Sequence, residues 1–222
     1  SCRSLEREIK PLWRISSFSA LTQGLTETGH DDSSEKKETA DTRPVILKDF
    51  PRGAGAGDFF HSIFEDLDFA ASEKTIKLAV ADKLSAFGFG PSAWSSTVTQ
   101  AVIQILLTPI TIGEQSFCLK DIKDDARLNE LEFHFKVNRF SMEKLIQTFE
   151  TGSSPALRAY AGYLRQPASQ HALNQVLDGF IKGFVDLVFR LKDKWYIIDY
   201  KSNFLGETYG HYHQTAMTDT MR

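Results

Sequence analysis

GFIKGFVDLVFRLKDKWYIIDYKSNFLG, residues 179–206, reads as two short strands joined by a tight polar turn. Val185, Val188, Phe189, Trp195, Tyr196, Ile197 and Ile198 are β-branched or aromatic types that suit a pleated surface. Lys192 and Asp193 interrupt them as a turn does. A two-residue loop there places Leu191 opposite Lys194, and counting outward places Asp186 opposite Asp199. Opposed residues share a face of the sheet with Cβ atoms roughly 5 Å apart. Lys201, two residues past Asp199, falls on the same face by the period of two.

Two carboxylates held that close repel each other. They persist where one keeps its proton or where a cation sits between them. Oxygen ligands of this kind suit a hard divalent ion such as Mg²⁺. A lysine beside the pair can steady developing negative charge or help to activate a water. The pattern therefore predicts metal-assisted attack on a phosphate or a similar centre. The plainer alternative is a surface hairpin with scattered charges.

The rest of the chain bounds this reading. Its 222 residues suffice for one large domain or two small ones, and 41% hydrophobic with 25% charged residues is ordinary for a soluble globular protein. The longest apolar run, from Ala101 to Leu107 apart from Gln104, is too short to span a bilayer, and no charged-then-apolar leader opens the sequence. The expectation is a protein that neither enters a membrane nor is secreted. Cys2 and Cys118 are the two cysteines, too few for a four-cysteine metal or iron–sulfur site, and they suit a reducing compartment. A net charge of −3 is weak for a free-standing nucleic-acid binder. If DNA is the substrate, much of the grip is expected from elsewhere, such as a partner subunit.

Taken in order, the first 22 residues end in WRISSFSAL (residues 13–21), where Ser17 or Ser19 is placed to cap a short helix. Residues 23–43 are Thr, Glu, Asp, Ser and Lys with almost nothing apolar, the composition of a flexible polar loop. The glycine run from Gly53 to Gly57 lacks the Gly-Lys-Ser/Thr ending of a nucleotide loop, so close approach to a neighbouring backbone is expected instead. Asp58 is a candidate N-cap for a helix running from Phe59 to about Phe69, with Phe60, Ile63, Phe64 and Leu67 at helical spacing. His61, Glu65 and Asp68 follow one another on the adjacent stripe. Local pattern alone makes His61 a packed or solvent-facing residue, and a metal-ligand role depends on the distant aspartates.

Two further amphipathic helices are expected over Glu73–Phe87 and Ser92–Leu107, then a loop over Ile112–Ala126 and a strand over Leu128–Val137. On that strand Leu131, Phe133 and Phe135 share one face, and Glu130 and Glu132 share the other with His134. Those acids read as part of a half-exposed strand, or as outer carboxylates supporting the hairpin. Ser141 caps a helix through Phe149, Ala156–Arg165 suggests another, and Thr208–Arg222 looks helical. Helices, a strand, helices and then a hairpin predict an α/β (α+β) fold with a small mixed central sheet flanked by helices. Both faces of the hairpin carry apolar residues, so it is expected at the centre of that sheet.

G-x-x-D at Gly183–Asp186 followed by D-x-K at Asp199–Lys201 resembles the signature of the RecB-type branch of the PD-(D/E)xK nucleases. GDFFHSIFEDLDF (57–69), KGFVDLVFR (182–190), DYKSNFLG (199–206) and WRISSFSAL are also similar to the C-terminal nuclease domains of exodeoxyribonuclease V beta chains. The resemblance implies a restriction-endonuclease-like core over 44–222, with 1–22 connecting from an upstream helicase region. It implies His61, Asp186, Asp199 and the backbone carbonyl of Tyr200 as Mg²⁺ ligands, with Asp186, Asp199 and Lys201 as catalytic residues.

The implied function is a Mg²⁺-dependent deoxyribonuclease, acting as exonuclease and endonuclease on unwound single strands in double-strand-break repair and recombination. The implied partners are DNA, the other subunits of the exodeoxyribonuclease V complex and a recombinase, in a bacterial cytoplasm. The alternative is a non-catalytic docking module for those proteins. A Mg²⁺-dependent phosphatase has no distinctive motif here. The family's Q-x-x-x-Y helix is unmatched after Lys201, since Gln214 is followed at the fourth position by Thr218. The expectation is that the fold continues past Arg222.

Overall fold

A computed structural model describes residues 13–17, 41–165 and 176–220. The expected polar loop lies outside these residues over 23–40, as does Ser19. Of the loop's end, Asp41 and Arg43 are described. The carbonyls of Asp41 and Arg43 accept the backbone N–H groups of Gly210 and Tyr209, at 2.8 and 3.0 Å.

The architecture is a mixed α/β arrangement with a small sheet flanked by helices, as the sequence predicts. The long strand β5 (Val176–Leu191) is the hub. It is hydrogen bonded to β1 (Trp13–Ser17), β4 (Arg127–Ser141) and β6 (Lys194–Ile198). β1 runs parallel to β5 and β6 antiparallel, so the sheet is mixed. Ser17 is therefore the last residue of a strand rather than a helix cap. The β5–β6 register pairs Leu191 with Lys194 and Leu187 with Ile198, the register that a two-residue turn dictates. Lys192 takes φ 55 at the first turn position, where a right-twisted hairpin needs a positive value. β5 is central as expected, whereas β6 bonds only to β5 among the described residues, and its Trp195 and Ile197 remain exposed.

The chain divides into two compact units. In the first, 132–184 with 13–17, Ser141 caps α4 (Met142–Thr151), its hydroxyl accepting the N–H of Lys144 at 3.3 Å. α5 (Pro155–Leu164) follows, with Ser154 as cap and Pro155 at the first position. Met142, Ile146, Ala161 and Leu164 are buried together, with Ile181 of β5 packed against them.

The second unit holds 41–131 and 185–220. Its helices are α1 (Ala54–Asp66), α2 (Glu73–Ala86), α3 (Pro91–Leu107) and α6 (Gln214–Thr220). α1 begins at Ala54 with Gly53 as N-cap, not at Asp58. Burial of Ala56, Phe59, Ile63 and Phe64 on one face outweighs the weak helix propensity of the glycines. The expected approach to a neighbouring backbone is not what these glycines meet: a Cβ added at Gly57 would lie 3.2 Å from the Ser202 side-chain hydroxyl, and Gly53 and Gly55 face open space.

α2 ends in a Schellman turn. Gly88 has φ 75, and the N–H groups of Gly88 and Phe89 reach the carbonyls of Ser85 and Leu84. The expected loop over 112–126 contains instead a small hairpin, β2 (Ile110–Ile112) with β3 (Gln115–Phe117), and two short 3₁₀ turns. Leu187 and Phe189 of β5 enter a core with Phe59, Ile63, Val80, Leu84, Val98 and Val102. No helix among the described residues is long and apolar enough to cross a membrane.

Candidate metal centre

Three elements of the second unit bring His61, Glu130 and Asp186 together, with one ligand atom from each lying within 4.8 Å of the others. His61 leaves α1 beside the buried face that Phe59, Ile63 and Phe64 fix. Asp186 precedes Leu187, whose burial anchors that part of β5. The His61 Nδ1 atom is 3.4 Å from Asp186 Oδ1 and 3.7 Å from Glu130 Oε1.

Glu130 is delivered by its neighbours. An α-helix leaves its last carbonyls without partners. Here Asn129 donates to the carbonyls of Phe64 and Glu65, at 3.0 and 2.8 Å, and Arg127 donates to that of Leu67 at 3.0 Å. The start of β4 is thus fastened to the end of α1. Glu130 then takes φ 47, a rare value for a residue with a Cβ. Such conformations cost about 1–3 kcal/mol and persist where the surroundings impose them, commonly at functional sites. Burial, the Asp186 and Glu65 charges and the competing pull of His61 leave the Glu130 carboxyl above the ordinary glutamate value.

The D-x-K segment joins through Tyr200. Its backbone N–H donates to Asp186 Oδ2 at 2.5 Å, and its ring packs on Phe64 with centroids 4.9 Å apart. Burial, reinforced by the Asp186 charge, pushes the Tyr200 phenol well above its usual range. Asp199 and Lys201 form an ion pair with each other, both side chains half-exposed or more. Of the residues singled out from sequence, the structure therefore gathers His61 and Asp186 and ties Tyr200 to Asp186. Asp199 lies outside the three-residue cluster, with its carboxylate on Lys201.

Glu65 acts on Glu130 through charge. Glu132, in the first unit, accepts from Lys182 at 2.8 Å. Glu130 is the residue that sequence reasoning placed in an outer role. Strand alternation placed it on one face with Glu132 and His134, and the positive φ at Glu130 breaks that alternation where it meets His61 and Asp186.

The donor set is two carboxylates and an imidazole, with one carboxyl pushed up by its neighbours. This fits a divalent cation, which relieves the repulsion and accepts oxygen and nitrogen together.

A small mixed sheet flanked by helices, carrying acids and a lysine at the hairpin end, fits a restriction-endonuclease-like core. No protein-family model matches the chain. The curated proteins that match agree with the resemblance in the motifs. Over 233 residues the chain is 29% identical to the RecBCD enzyme subunit RecB of Escherichia coli (strain K12), covering 100% of this chain and 18% of that subunit. The RecB subunit of Haemophilus influenzae is 26% identical over 234 residues, covering 94% of this chain. That of Mycolicibacterium smegmatis is 25% identical over 229 residues, covering 93%. The chain spans 18% of the length of the first two relatives and 21% of the third.

Proposed function

We propose that this chain is a Mg²⁺-dependent deoxyribonuclease module of a RecBCD-like helicase–nuclease complex in a bacterial cytoplasm. It hydrolyses phosphodiester bonds of unwound DNA during double-strand-break repair and recombination. The observation that carries this reading is the meeting of His61, Glu130 and Asp186 from three separate elements. A module that only docks onto partner subunits has no need of two carboxylates and an imidazole at one point. The relatives' name supplies the complex, and with it DNA and the companion subunits as partners.

His61, Asp186 and Glu130 would hold the ion, with Asp199 and the Tyr200 carbonyl as the further ligands the motif implies. When bound, a divalent cation neutralises charge on the phosphate and lowers the pKa of a coordinated water. The protein's own part is positional and electrostatic. Asp186 holds the Tyr200 backbone through its second oxygen, leaving the first towards His61. Lys201 reaches solvent and can exchange Asp199 for the phosphate, steadying the charge that builds during attack.

The test is cleavage of single-stranded DNA by this chain with Mg²⁺, set against Asp186→Ala and Lys201→Ala. Loss of cleavage in both variants supports the assignment. Cleavage that is indifferent to both, or to chelation, overturns it.

A further inference from the structure

The second unit holds a cavity of about 420 Å³ whose lining is shared with the candidate site. His61 and Lys201 contribute to its wall, and so do the aromatic side chains of Phe60, Phe204 and Tyr212. Concavities of a few hundred Å³, mostly apolar with a few polar groups, are the usual form of a small-ligand site. The question is what chemistry belongs in an aromatic-lined hollow that adjoins a phosphate-activating lysine.

A phosphodiester at Lys201 is covalently attached to nucleosides, so the group nearest this hollow is a sugar carrying a base. Each base has an aromatic face, and stacking on protein rings is tolerant of sequence. Phe204 is already braced for such a role: the Arg52 guanidinium lies over its ring, 3.4 Å from the centroid. This fixes the ring by a cation–π contact and adds a positive charge to the lining, where a neighbouring phosphate is attracted. Tyr212 is held too, its hydroxyl accepting the Leu205 N–H at 3.4 Å. Ser202 and Asn203, also in the wall, offer hydrogen-bonding groups to the edge of a base.

We propose that this cavity receives one unpaired nucleobase adjoining the phosphate at Lys201. The inference rests on the nuclease reading and adds to it a place for the base. A base inside a walled hollow has left its stack and its partner, which is costly in a duplex and far cheaper in a strand already unwound.

Binding, rather than cleavage, tests the proposal. An oligothymidylate carrying the fluorescent base 2-aminopurine at successive positions is titrated with the 222-residue chain in chelator, so that no reaction occurs. The expected result is quenching confined to one position, lost in Phe204→Ala and kept in Phe204→Tyr. An abasic site at that position is expected to weaken binding to the unaltered protein roughly five-fold or more. The abasic arm needs no variant and so does not depend on how Phe204→Ala folds.

Equal affinity for intact and abasic strands at every position, or quenching that ignores Phe204, overturns the proposal. Failure of the nuclease reading shows separately, as absence of Mg²⁺-dependent cleavage by a protein that still quenches the base.

Discussion

Asp186 accepts the backbone N–H of Tyr200 at 2.5 Å, tying the residue two past the end of β6 to the middle of β5. One carboxylate thus shapes the backbone and presents a free oxygen to His61. These two jobs are separable. Asp186→Asn keeps an oxygen for the N–H and loses the charge, while Asp186→Ala loses both. Without divalent metal, Asp186→Asn is expected to unfold at about the parent's denaturant midpoint. Asp186→Ala is expected to be less stable by about 1–3 kcal/mol, the cost of an unmet buried donor. Neither variant should be stabilised by Mg²⁺ as the parent is. Equal stabilities of the two variants in urea would refute the backbone role.

Glu130 gives the site a pH signature. Its carboxyl has a raised pKa in the folded protein, first through burial and then through Asp186 and Glu65. An acid of this kind binds its proton more tightly folded than unfolded. Its contribution to stability is present below the unfolded value near 4.5 and is lost as pH rises through the folded value. In chelator, Glu130→Gln should therefore gain stability relative to the parent as pH rises to neutrality. Mg²⁺ should stabilise the parent and do so far less in the variant. Thermal melts of both proteins across that range, with and without Mg²⁺, decide it. A gap between them that does not change with pH would contradict the assignment.

The hairpin was legible because Lys192 and Asp193 interrupt the apolar runs as a turn does, and a two-residue loop there sets one register. From that register Asp186 and Asp199 followed by counting. His61 was not legible locally, since a histidine beside an apolar helical stripe looks the same whether or not acids arrive later. Only the resemblance in the surrounding motif raised it. The place of Glu130 beside His61 and Asp186 escaped both routes, because side-chain bonds from Asn129 and Arg127 to carbonyls sixty or more residues earlier set it. The start of α1 was misplaced for a related reason: the burial of Ala56 and Phe59 prevails over glycine's preference for irregular backbone. Asp199 shows the opposite limit: counting placed it opposite Asp186, but β6 ends at Ile198, and past the strand its carboxylate turns to Lys201.

Gly183, the glycine of G-x-x-D, has its own structural reason. A Cβ there would lie 2.3 Å from the Phe133 Cζ atom, so the Phe133 ring occupies the space that a side chain would need. Gly183→Ala must displace the ring and is expected to lose about 1–3 kcal/mol in urea unfolding. Combining it with Phe133→Leu should recover part of the loss. A double variant that is worse than the sum of the singles would show that the contact is not the cause.

The first unit carries a separate acid response. Arg165 donates to Glu143 and to Glu150, joining the ends of α4 and α5. Both carboxyls are held below the ordinary glutamate value, chiefly by the Arg165 hydrogen bonds. For acids with depressed folded values, stability is present above about 4.5 and is lost as pH falls through the folded value. Arg165→Met is expected to lower the melting temperature at neutral pH and to flatten its fall in acid. The pair is exposed, so the effect should shrink in high salt. A change of the same size in acid and at neutrality would rule out the ion pairs as its source.

Lys201 separates binding from chemistry. Its partner Asp199 is exposed, and an exposed ion pair contributes little to stability. Lys201→Ala should therefore melt close to the parent. It also frees the Asp199 carboxylate, so affinity for Mg²⁺ is expected to hold or rise. If the lysine acts on the charge that develops at the phosphate, cleavage should nonetheless fall by about 10²–10³, the usual loss when one stabilising donor is removed. Lys201→Arg keeps the charge but changes its reach and shape, and should recover only part of the rate. Calorimetric Mg²⁺ binding and single-turnover cleavage on the same preparations distinguish the cases. Should metal affinity and rate fall together in Lys201→Ala, the lysine serves to position Asp199, and the charge-stabilising role is wrong.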